Sequence, residues 1–473
     1  MSMGKNKIPE SVESIHIIAI CGTGMGALAL MLKDLGYAVT GSDQKVYPPM
    51  SDFLTTRGIH IAEGFHPDHL SYGPDLVVVG NAVSKDNPEV VHMGEMGLPF
   101  CSLPQAINRF VAAGKKQILI TGTHGKTTTS AIVAWILDCA GLDETFFIGG
   151  ILANFNSNYR LGRGDTIVIE GDEYDTAFFD KGPKFMHYAP YAAIKTSVEF
   201  DHADIFRDKD LVLRVFKGFT AGLEKNSTLF AFDGDVNVET VAASAGCRVV
   251  TYGTKKGSGW CLGSIDLHPP WSGFEVVKDG ACYGRFETLL VGEHNLFNAL
   301  SAIAVADLLH IPGETVKQAL ATFKGVRRRQ EVRGVKNGIV VMDDFAHHPT
   351  AVRETVKAVK PFYPDGRLIA VFEPRTNTSM RDVFQNVYPT CFDAADLICI
   401  RKPPLLKKIP EGQRFSSQKL VQDLRQRGKD AHYFENTDSI IDFLKAHAVA
   451  GDAILVMSNG GFDNIHERLL AVL

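Results

Sequence analysis

The chain has 473 residues, of which 45% are hydrophobic and 22% charged, and a formal net charge of −5 at pH 7. This length exceeds one ordinary domain and predicts about three, while the absence of a basic excess argues against nucleic acid as a partner. No apolar run reaches the roughly 18 residues of a membrane span. The polar start, MSMGKNKIPESVES, leads straight into a predicted strand, so we expect no signal peptide.

Short apolar runs alternate with helix-length amphipathic stretches along the chain, a pattern typical of parallel α/β architecture. The predicted strands begin at residues 15, 75, 117, 165, 191, 227, 248, 338, 367, 396 and 452. Polar segments at 112–116 and 324–338 are predicted to separate three domains, over 1–114, 115–326 and 327–473. Residues 257–292 read as short strands joined by turns and predict an antiparallel appendage to the central domain.

A glycine-rich loop follows the first predicted strand, in IAICGTGMGALAL (18–30). Gly22, Gly24 and Ala27 fit the G-x-G-x-x-G/A frame, in which the backbone and a helix N-terminus bind a diphosphate. Asp43 ends the next apolar run, where a ribose-binding carboxylate is expected. A dehydrogenase that binds NAD at this loop is therefore one possible function.

A second glycine loop lies in QILITGTHGKTTTSAIVAWIL (117–137), between a predicted strand and a predicted helix. It is a shortened form of the P-loop, because Ile120 occupies the position of the first glycine in G-x-x-x-x-G-K-[ST]. Backbone N–H groups between Gly122 and Lys126 can surround phosphate oxygens, and the Lys126 ammonium can neutralise them. The Thr127 hydroxyl can bind Mg²⁺, so the loop predicts ATP and Mg²⁺; the alternative is a turn that merely starts a helix.

Acidic residues follow the next two predicted strands. The first group is Glu170, Asp172, Glu173 and Asp175, and the second is Glu199, Asp201, His202 and Asp204. Mg²⁺ prefers oxygen ligands and needs only one or two carboxylates from the protein. Because ligands bind at the carboxyl ends of parallel strands, we expect a metal site here rather than two solvated acidic turns.

Eight cysteines, at 21, 101, 139, 247, 261, 282, 391 and 399, contain no C-x-x-C pair. Their spacing argues against a zinc site and against a disulfide framework, and it predicts a reducing, cytoplasmic location.

Four motifs occur in the order found in the Mur ligase family: GTHGKTTT (122–129), EGDEYD with TSVEFDH (170–175 and 196–202), GEHNLFNALSAIA (292–304) and DDFAHHPT (343–350). The chain resembles these ATP-dependent amide-bond ligases of bacterial cell-wall synthesis over essentially its entire length. The resemblance implies an α/β fold of three domains: a Rossmann-like domain for a UDP-sugar, a central P-loop ATPase domain with a mostly parallel sheet, and a Rossmann-like domain that closes over the site. It also implies a cytoplasmic monomer or weak homodimer, with no nucleic acid or membrane partner.

The resemblance assigns residues to each ligand. ATP is expected at Gly122, Thr123, His124, Gly125, Lys126, Thr127, Thr128, His294, Asn295, Asn298, Arg329 and Asp344, with His347 or His348 nearby. A first Mg²⁺ is expected at Thr127 and Glu170 and a second metal position at His202, with Lys126, Glu170 and His202 as the catalytic residues. The UDP-sugar is expected at Gly22, Thr23, Gly24, Met25, Gly26, Asp43, Asn81 and Ala82. A peptide is expected at Arg375, Gly460 and Gly461, where a cation and exposed N–H groups suit carboxylates.

The first domain resembles the family members that bind UDP-N-acetylmuramate, through CGTGMGALA, GSD and NAVSKDNPEV. The segment YDTAFFDKGPKFMHY (174–188), with FEPRTNTSM and MSNGGFDNIHERLL, resembles the ligase that attaches recycled L-alanyl-γ-D-glutamyl-meso-diaminopimelate. The alternative is the L-alanine ligase of de novo peptidoglycan synthesis, which has a shorter segment there.

Three positions depart from the family pattern. This chain has Ser197 where the family usually has Asn, Gly171 where it usually has Ala, and Asp463 where Gly is expected. The change at Ser197 leaves open a third function, a catalytically silent protein that senses UDP-muramyl compounds.

Overall fold

The described residues of the computed structural model form three large β-sheets and one separate two-stranded hairpin. The first large sheet is entirely parallel and has the strand order β3-β2-β1-β4-β5. The model describes residues 6–46, 50–203, 205–255 and 257–473. The strands are β1 (Ser14–Ile18), β2 (Ala38–Asp43), β3 (His60–Glu63), β4 (Leu76–Val79) and β5 (Phe100–Ser102). The helices are α1 (Thr23–Asp34), α2 (Met50–Thr56), α3 (Pro88–Met96) and α4 (Leu103–Ala106). The strand order changes direction between β1 and β4, so the loops that follow these two strands border a ligand crevice.

The central sheet has ten strands in the order β17-β16-β15-β14-β13-β12-β6-β9-β7-β8. Its strands, with the separate hairpin β10–β11, are β6 (Lys116–Thr121), β7 (Thr145–Leu152), β8 (Ser157–Arg160), β9 (Thr166–Gly171), β10 (Asp175–Ala177), β11 (Asp180–Pro183), β12 (Ala192–Lys195), β13 (Thr228–Phe232), β14 (Arg248–Gly253), β15 (Trp260–His268), β16 (Trp271–Lys278) and β17 (Ala281–Thr288). The helices are α5 (Lys126–Cys139), α6 (Lys209–Ala221), α7 (Val236–Ala242), α8 (Glu293–Leu308) and α9 (Gly313–Thr322). Strand β6 lies between β12 and β9 and is parallel to both, so the loop that follows it leaves from the middle of the sheet.

The two faces of the central sheet are covered differently. One face, through residues such as Ile118 and Ile120, packs against α5, α8 and α9. The other face contributes Ile169 to an apolar cluster that also contains Phe216 of α6 and Leu28 of α1. This cluster therefore runs without interruption from the first sheet into the central one.

The third sheet has the order β18-β19-β23-β20-β21-β22, and only its edge strand β18 is antiparallel to its neighbour. Its strands are β18 (Glu331–Lys336), β19 (Ile339–Asp344), β20 (Leu368–Phe372), β21 (Leu397–Arg401), β22 (Asp430–Phe434) and β23 (Ala453–Met457). The helices are α10 (Pro349–Val359), α11 (Ser417–Gln426), α12 (Thr437–His447) and α13 (Ile465–Val472). Separate apolar clusters cover its two faces, as burial of a parallel sheet requires.

The predicted fold class is confirmed, and every strand predicted from an apolar run overlaps a strand of the structure. The antiparallel appendage is formed by β15, β16 and β17, which extend the central sheet beyond β14.

The prediction of a linker over 324–338 is partly wrong, because 331–336 form β18. That strand reads as a linker since it lies at the sheet edge, where even Val335 is 63% exposed.

The three sheets occupy residues 14–102, 116–288 and 331–457, and the exact domain limits stay a prediction. Within the described part of the chain, no helix combines the length and the apolar character needed to cross a membrane. All eight cysteines are unpaired.

Replacing Leu455 by alanine tests the packing of the third sheet. Leu455 is fully buried on β23 and lies opposite Met342 and Ala370 of the neighbouring strands. The cavity left by Leu455→Ala should cost about 2–5 kcal/mol, seen as a lower midpoint in thermal unfolding followed by circular dichroism. The exposed control Val335→Ala should change stability by less than about 0.5 kcal/mol. Equal midpoints for the two variants would contradict this account of the core.

Candidate active site

The phosphate loop connects β6 to α5 and depends on two glycines with left-handed backbone angles. Gly122 has φ 134° and Gly125 has φ 79°. A Cβ at Gly122 would lie 2.2 Å from Thr196 Oγ1, and one at Gly125 would lie 2.6 Å from Asn298 Oδ1. Both positions therefore require glycine for backbone conformation and for space.

Ser197 holds the first half of this loop. The N–H of Thr123 donates to the Ser197 carbonyl at 3.1 Å, and the N–H of His124 donates to the Ser197 hydroxyl at 2.9 Å. Both N–H groups therefore have protein partners in this conformation, and their contact with phosphate stays a prediction. The N-terminus of α5, where Thr127 and Thr128 lie in the first turn, remains available to attract an anion.

Lys126 is the first residue of α5 and is buried among acidic groups. Its Nζ donates to the Gly122 carbonyl at 2.6 Å and to Glu173 Oε2 at 2.8 Å. Burial opposes the ammonium charge, but the carboxylates of Glu173, Asp172 and Glu170 raise the pKa of Lys126 above its ordinary value. The side chain is therefore a charged, preformed cation at the phosphate loop.

The residues predicted to bind metal lie in two separate groups. The Thr127 hydroxyl donates to Glu170 Oε1 at 2.9 Å, and the Gly149 N–H donates to Glu170 Oε2 at 2.8 Å. Burial, and then the neighbouring Asp172 charge, raise the pKa of Glu170, so a cation there would stabilise its ionised form. Two hard oxygen ligands beside the phosphate loop fit Mg²⁺.

His202 belongs to the second group. Its Nε2 lies 3.3 Å from Glu173 Oε1, on the far side of the Lys126 ion pair. Burial opposes protonation of His202, but the Glu173 hydrogen bond and charge raise its pKa above the ordinary value. Asp204 lies outside the described residues.

A cavity of about 160 Å³ extends from the first glycine loop to Glu170, whose carboxylate accepts the Thr127 hydroxyl. Its lining comes from the first sheet's unit (Thr23, Gly24 and Leu103) and from the central one (Phe147, Ile148, Gly149, Glu170, Asp172, Tyr174, Lys184 and Tyr188). Lys184 Nζ donates to Asp172 Oδ2 at 2.8 Å and to the Tyr174 hydroxyl at 3.2 Å. The cavity therefore brings the start of α1 and the carboxyl end of β9 to one space.

The other residues predicted for the UDP-sugar surround the start of α1. Gly22 is the N-cap of this helix, and a Cβ at Gly26 would lie 2.4 Å from Met50 Sδ. The Met25 side chain is buried in the apolar cluster, so only its backbone can face a ligand. Two further predicted residues, Asn81 and Ala82, are exposed just after β4.

Asp43 caps the first loop. Its Oδ2 accepts the Cys21 N–H at 2.9 Å and its Oδ1 accepts the Lys45 N–H at 3.2 Å. A contact between Asp43 and the nucleotide stays a prediction.

The residues predicted for adenine lie at the start of α8, beside the phosphate loop. Asn298 Nδ2 donates to Asn295 Oδ1 at 3.1 Å, and Asn295 Nδ2 donates to Gln330 Oε1 at 3.1 Å. Among the described residues His294 Nδ1 is buried without a hydrogen-bond partner, and burial lowers the pKa of His294 to about 4. These side chains present neutral donors and acceptors of the kind a base edge requires.

Arg329 and Asp344 lie where the central unit meets the third sheet. Asp344 accepts the N–H groups of Gln330 at 2.8 Å and Ala346 at 2.7 Å. Burial raises the pKa of Asp344, and the Arg329 charge opposes this rise. The Arg329 guanidinium lies 4.9 Å from the centre of the Phe345 ring and borders a cavity of about 360 Å³.

The residues predicted for the peptide lie at the carboxyl ends of β20 and β23. Arg375 packs against Gly460, where a Cβ would lie 2.3 Å from Arg375 Cδ. The Gly460 N–H donates to the Ser458 hydroxyl at 3.0 Å in this conformation, and its contact with a peptide carboxylate stays a prediction. Gly461 follows as the cap of a short helix.

Sequence reasoning missed Arg401, which ends β21 beside these residues. The buried guanidinium pairs with Glu373 and donates to Asp463 Oδ2 at 2.7 Å. Asp463 lies in a run of three residues, 462–464, with φ of 45°, 50° and 55°. Arg401 follows an apolar run and is the last residue of β21, and a charged residue at the carboxyl end of a buried strand is the signal that could have revealed it.

A phosphate loop with an oxygen-rich metal position, beside a cavity that extends to another glycine loop, is the arrangement of a nucleotide-dependent enzyme. Three family models match the chain: "Mur ligase family, catalytic domain" over 14–115, "Mur ligase middle domain" over 120–306 and "Mur ligase, glutamate ligase domain" over 328–460. The chain belongs to the Mur ligase family and is a ligase.

Two curated relatives match over nearly their full length. The chain is 39% identical to the UDP-N-acetylmuramate–L-alanyl-gamma-D-glutamyl-meso-2,6-diaminoheptandioate ligase of Escherichia coli (strain K12), over 96% of this chain and 97% of that protein. It is 33% identical to the UDP-N-acetylmuramate–L-alanine ligase of Caldanaerobacter subterraneus subsp. tengcongensis, over 98% of each.

Two solved structures show the same fold. A murein peptide ligase from Psychrobacter arcticus has a TM-score of 0.71 at 35% identity, over 97% of this chain and 98% of that one. A UDP-N-acetylmuramate-alanine ligase from Thermotoga maritima has a TM-score of 0.80 at 25% identity, with the same coverage.

Buried histidines make stability depend on pH. Burial lowers the pKa of His294 and of His348 to about 4, below the value near 6.5 of an unfolded chain. The unfolded chain therefore binds protons first, and their contribution to stability, complete above pH 6.5, is lost as the pH falls towards 4. In urea titrations between these pH values, His294→Gln should lose about 1–3 kcal/mol less stability than the wild type. The exposed control His60→Gln should keep the wild-type slope, and an unchanged slope in His294→Gln would contradict the assignment.

Proposed function

We propose that this protein joins the lactyl carboxylate of UDP-N-acetylmuramate to the amine of L-alanyl-γ-D-glutamyl-meso-diaminopimelate, using ATP, in peptidoglycan recycling in the bacterial cytoplasm. The carrying observation is the cavity that Thr23 and Gly24 share with Glu170 and Asp172. The cavity extends from the loop proposed for the diphosphate to Glu170, which is hydrogen-bonded to Thr127 beside the loop proposed for the triphosphate, so a reaction between the two ligands could take place there. The 39% identity to the peptide ligase of Escherichia coli supports the same choice of substrates.

The first unit would bind the nucleotide sugar. The α1 N-terminus attracts the diphosphate, and the glycines at 22 and 24 allow the backbone to approach it closely. From this position the lactyl group can extend through the cavity towards Glu170. The carboxylate to be activated would thus arrive beside the phosphate loop.

Thr127 and Glu170 would hold Mg²⁺, which when bound neutralises charge on the phosphate oxygens. Lys126 would exchange its Glu173 partner for a phosphate oxygen of ATP, because the ammonium is already charged and lies at the loop. Attack of the carboxylate on the γ-phosphate then forms an acyl phosphate and releases ADP. The peptide amine displaces phosphate and forms the amide bond. The protein contributes mainly positioning and charge neutralisation.

The adenosine of ATP would lie between α8 and the third unit. Asn295 and Asn298 offer amides to the base, and Arg329 and Asp344 border the same region for the phosphates and the ribose. The direct hydrogen bond between Asn295 and Gln330 connects this pocket to the segment that precedes β18. Nucleotide binding would therefore affect the placement of the third unit.

The hairpin β10–β11 favours a peptide over free alanine. Its turn residue Phe179 packs on Phe100 of the first sheet at 4.9 Å between ring centres. The chain then returns through Lys184, which lines the shared cavity. Lys184 and Arg375 would exchange their present partners, Asp172 and Glu373, for substrate carboxylates, of which the tripeptide carries three and alanine one.

Removal of the phosphate-loop cation should abolish turnover. In Lys126→Ala, ADP release with both substrates should fall at least about 100-fold, because a preorganised charge at the phosphoryl group is lost. Circular dichroism should show a folded protein. The control Lys116→Ala removes an exposed lysine at the opposite end of β6 and should retain activity. Near-normal ADP release by Lys126→Ala would refute the assignment.

The choice of amine is tested by phosphate release. With UDP-N-acetylmuramate, ATP and Mg²⁺ present, the tripeptide should support rapid release and L-alanine should not. Arg375→Ala should raise KM for the tripeptide and leave KM for ATP unchanged, since its guanidinium lies at the third sheet, away from the phosphate loop. Rapid release with alanine alone would identify the alanine ligase, and nucleotide-sugar binding without release with any amine would identify the silent sensor.

A further inference from the structure

A second group of possible metal ligands lies between the phosphate loop and α10, apart from Thr127 and Glu170. It consists of His124 in the loop, Glu199 in the segment after β12 and His348 at the N-cap of α10. One ligand atom from each residue lies within 4.8 Å of the other two. Among the described residues this is the one such group of three.

The distances approach those of a bound ion. His124 Nε2 lies 3.4 Å from Glu199 Oε2, and His348 Nδ1 lies 3.6 Å from the same oxygen. Zinc bonds to nitrogen and oxygen of about 2.0–2.1 Å in a tetrahedron put neighbouring ligand atoms about 3.3 Å apart. Small side-chain movements would therefore complete three corners of a tetrahedron.

The surroundings of His348 orient its ring. Its Nε2 donates to the Phe200 carbonyl at 3.1 Å, and its Nδ1, which accepts the Thr350 N–H at 3.3 Å, lies 3.6 Å from Glu199 Oε2. A bound ion would take the place of this N–H at Nδ1. Metal-binding histidines commonly donate their other N–H to a carbonyl in this way. The Thr350 hydroxyl donates to Glu199 Oε2 at 2.6 Å and holds that carboxylate in place.

We propose that His124, Glu199 and His348 bind Zn²⁺ or a similar borderline divalent ion, at a site separate from the Mg²⁺ position. Two imidazole nitrogens and one carboxylate oxygen suit zinc, whereas Mg²⁺ selects oxygen ligands. The fourth position can be reached from solvent, because the side chains of His124 and Glu199 are 23% and 33% exposed.

The ion would connect two parts of the molecule. Its ligands come from the phosphate loop, from the central sheet and from the third unit, so a bound ion would restrain the third unit against the loop. The chain between them, at 324–330, contains three consecutive arginines at 327–329, and these are tryptic cleavage sites.

Zinc binding by the full-length, metal-free protein tests the site without any substrate. Titration with ZnCl₂ against a chelating dye should show one tightly bound Zn²⁺ per chain, and zinc should slow tryptic cleavage at 327–329. Glu199→Gln and His348→Asn should each weaken binding at least about tenfold, and neither should keep the protection. Asparagine is a favoured N-cap, so His348→Asn should preserve α10.

Two controls separate this site from others. His432→Asn removes a surface histidine that also pairs with a carboxylate, Asp430 at 2.7 Å, and should bind zinc like the wild type. Glu170→Gln, at the Mg²⁺ position, should do the same. With Co²⁺ as a probe, tetrahedral visible bands should appear in the wild type and disappear in His348→Asn.

The proposal is overturned if the wild type binds no stoichiometric zinc, or if Glu199→Gln and His348→Asn bind it unchanged. It is also overturned if Glu170→Gln loses zinc together with them, because the ion would then lie at the Mg²⁺ position. These measurements need neither ATP nor UDP-sugar, so their failure is distinct from failure of the proposed ligase function.

Discussion

The buried ion pair between Lys126 and Glu173 is the interaction on which the site depends. A buried ammonium is stable only when its charge is compensated, and here the carboxylates that follow β9 provide this. The pair therefore fixes the end of β9 against the start of α5. Since Glu170 and Asp172 belong to the same segment, the metal position and the cavity wall are placed by the same constraint. When a triphosphate pairs with the ammonium instead, His202 remains 3.3 Å from Glu173 and can compensate the charge of that buried carboxylate.

Sequence periodicity was sufficient for the parallel strands and the two glycine loops, since buried strands and tight phosphate turns each allow few residue types. Sequence periodicity could not predict contacts between segments that lie far apart in the sequence. In the sequence Ser197 stands out only as a departure from the family pattern, whereas in the structure its hydroxyl accepts the N–H of His124 in the phosphate loop. Arg401 lies 62 residues from Asp463, and no local pattern relates them. Strand β18 was missed because one exposed edge carries little apolar signal. The convergence of His124, Glu199 and His348 likewise depends on the placement of three separate elements.

The three units are not joined in the same way. The first and central units share one apolar cluster, and Asn158 Nδ2 of β8 also donates to the Thr23 carbonyl at 3.3 Å. Among the described residues, the contacts between the central unit and the third unit are mainly polar. For example, the Ala203 N–H donates to Thr378 Oγ1 at 3.1 Å, and the Thr350 hydroxyl donates to Glu199. Polar contacts exchange readily with water, so motion is expected mainly at the third unit. Such motion would leave the shared cavity intact while it opens the nucleotide and peptide sides.

The shared apolar cluster has a consequence for how the chain can be divided. Leu28 of α1 and Ile169 of β9 lie in one continuous core, so separating the first unit from the central one would expose a large apolar surface on both pieces. The third unit has its own two clusters, and it meets its neighbour mainly through polar groups, with a ring contact between Phe200 and Phe384. In recombination between related ligases, an exchange near residue 330 would thus leave the shared apolar cluster and the two clusters of the third unit intact. An exchange near residue 115 would instead pack apolar surfaces from two different proteins against each other. Properties that depend on the third unit alone are therefore the more freely exchangeable ones in this architecture.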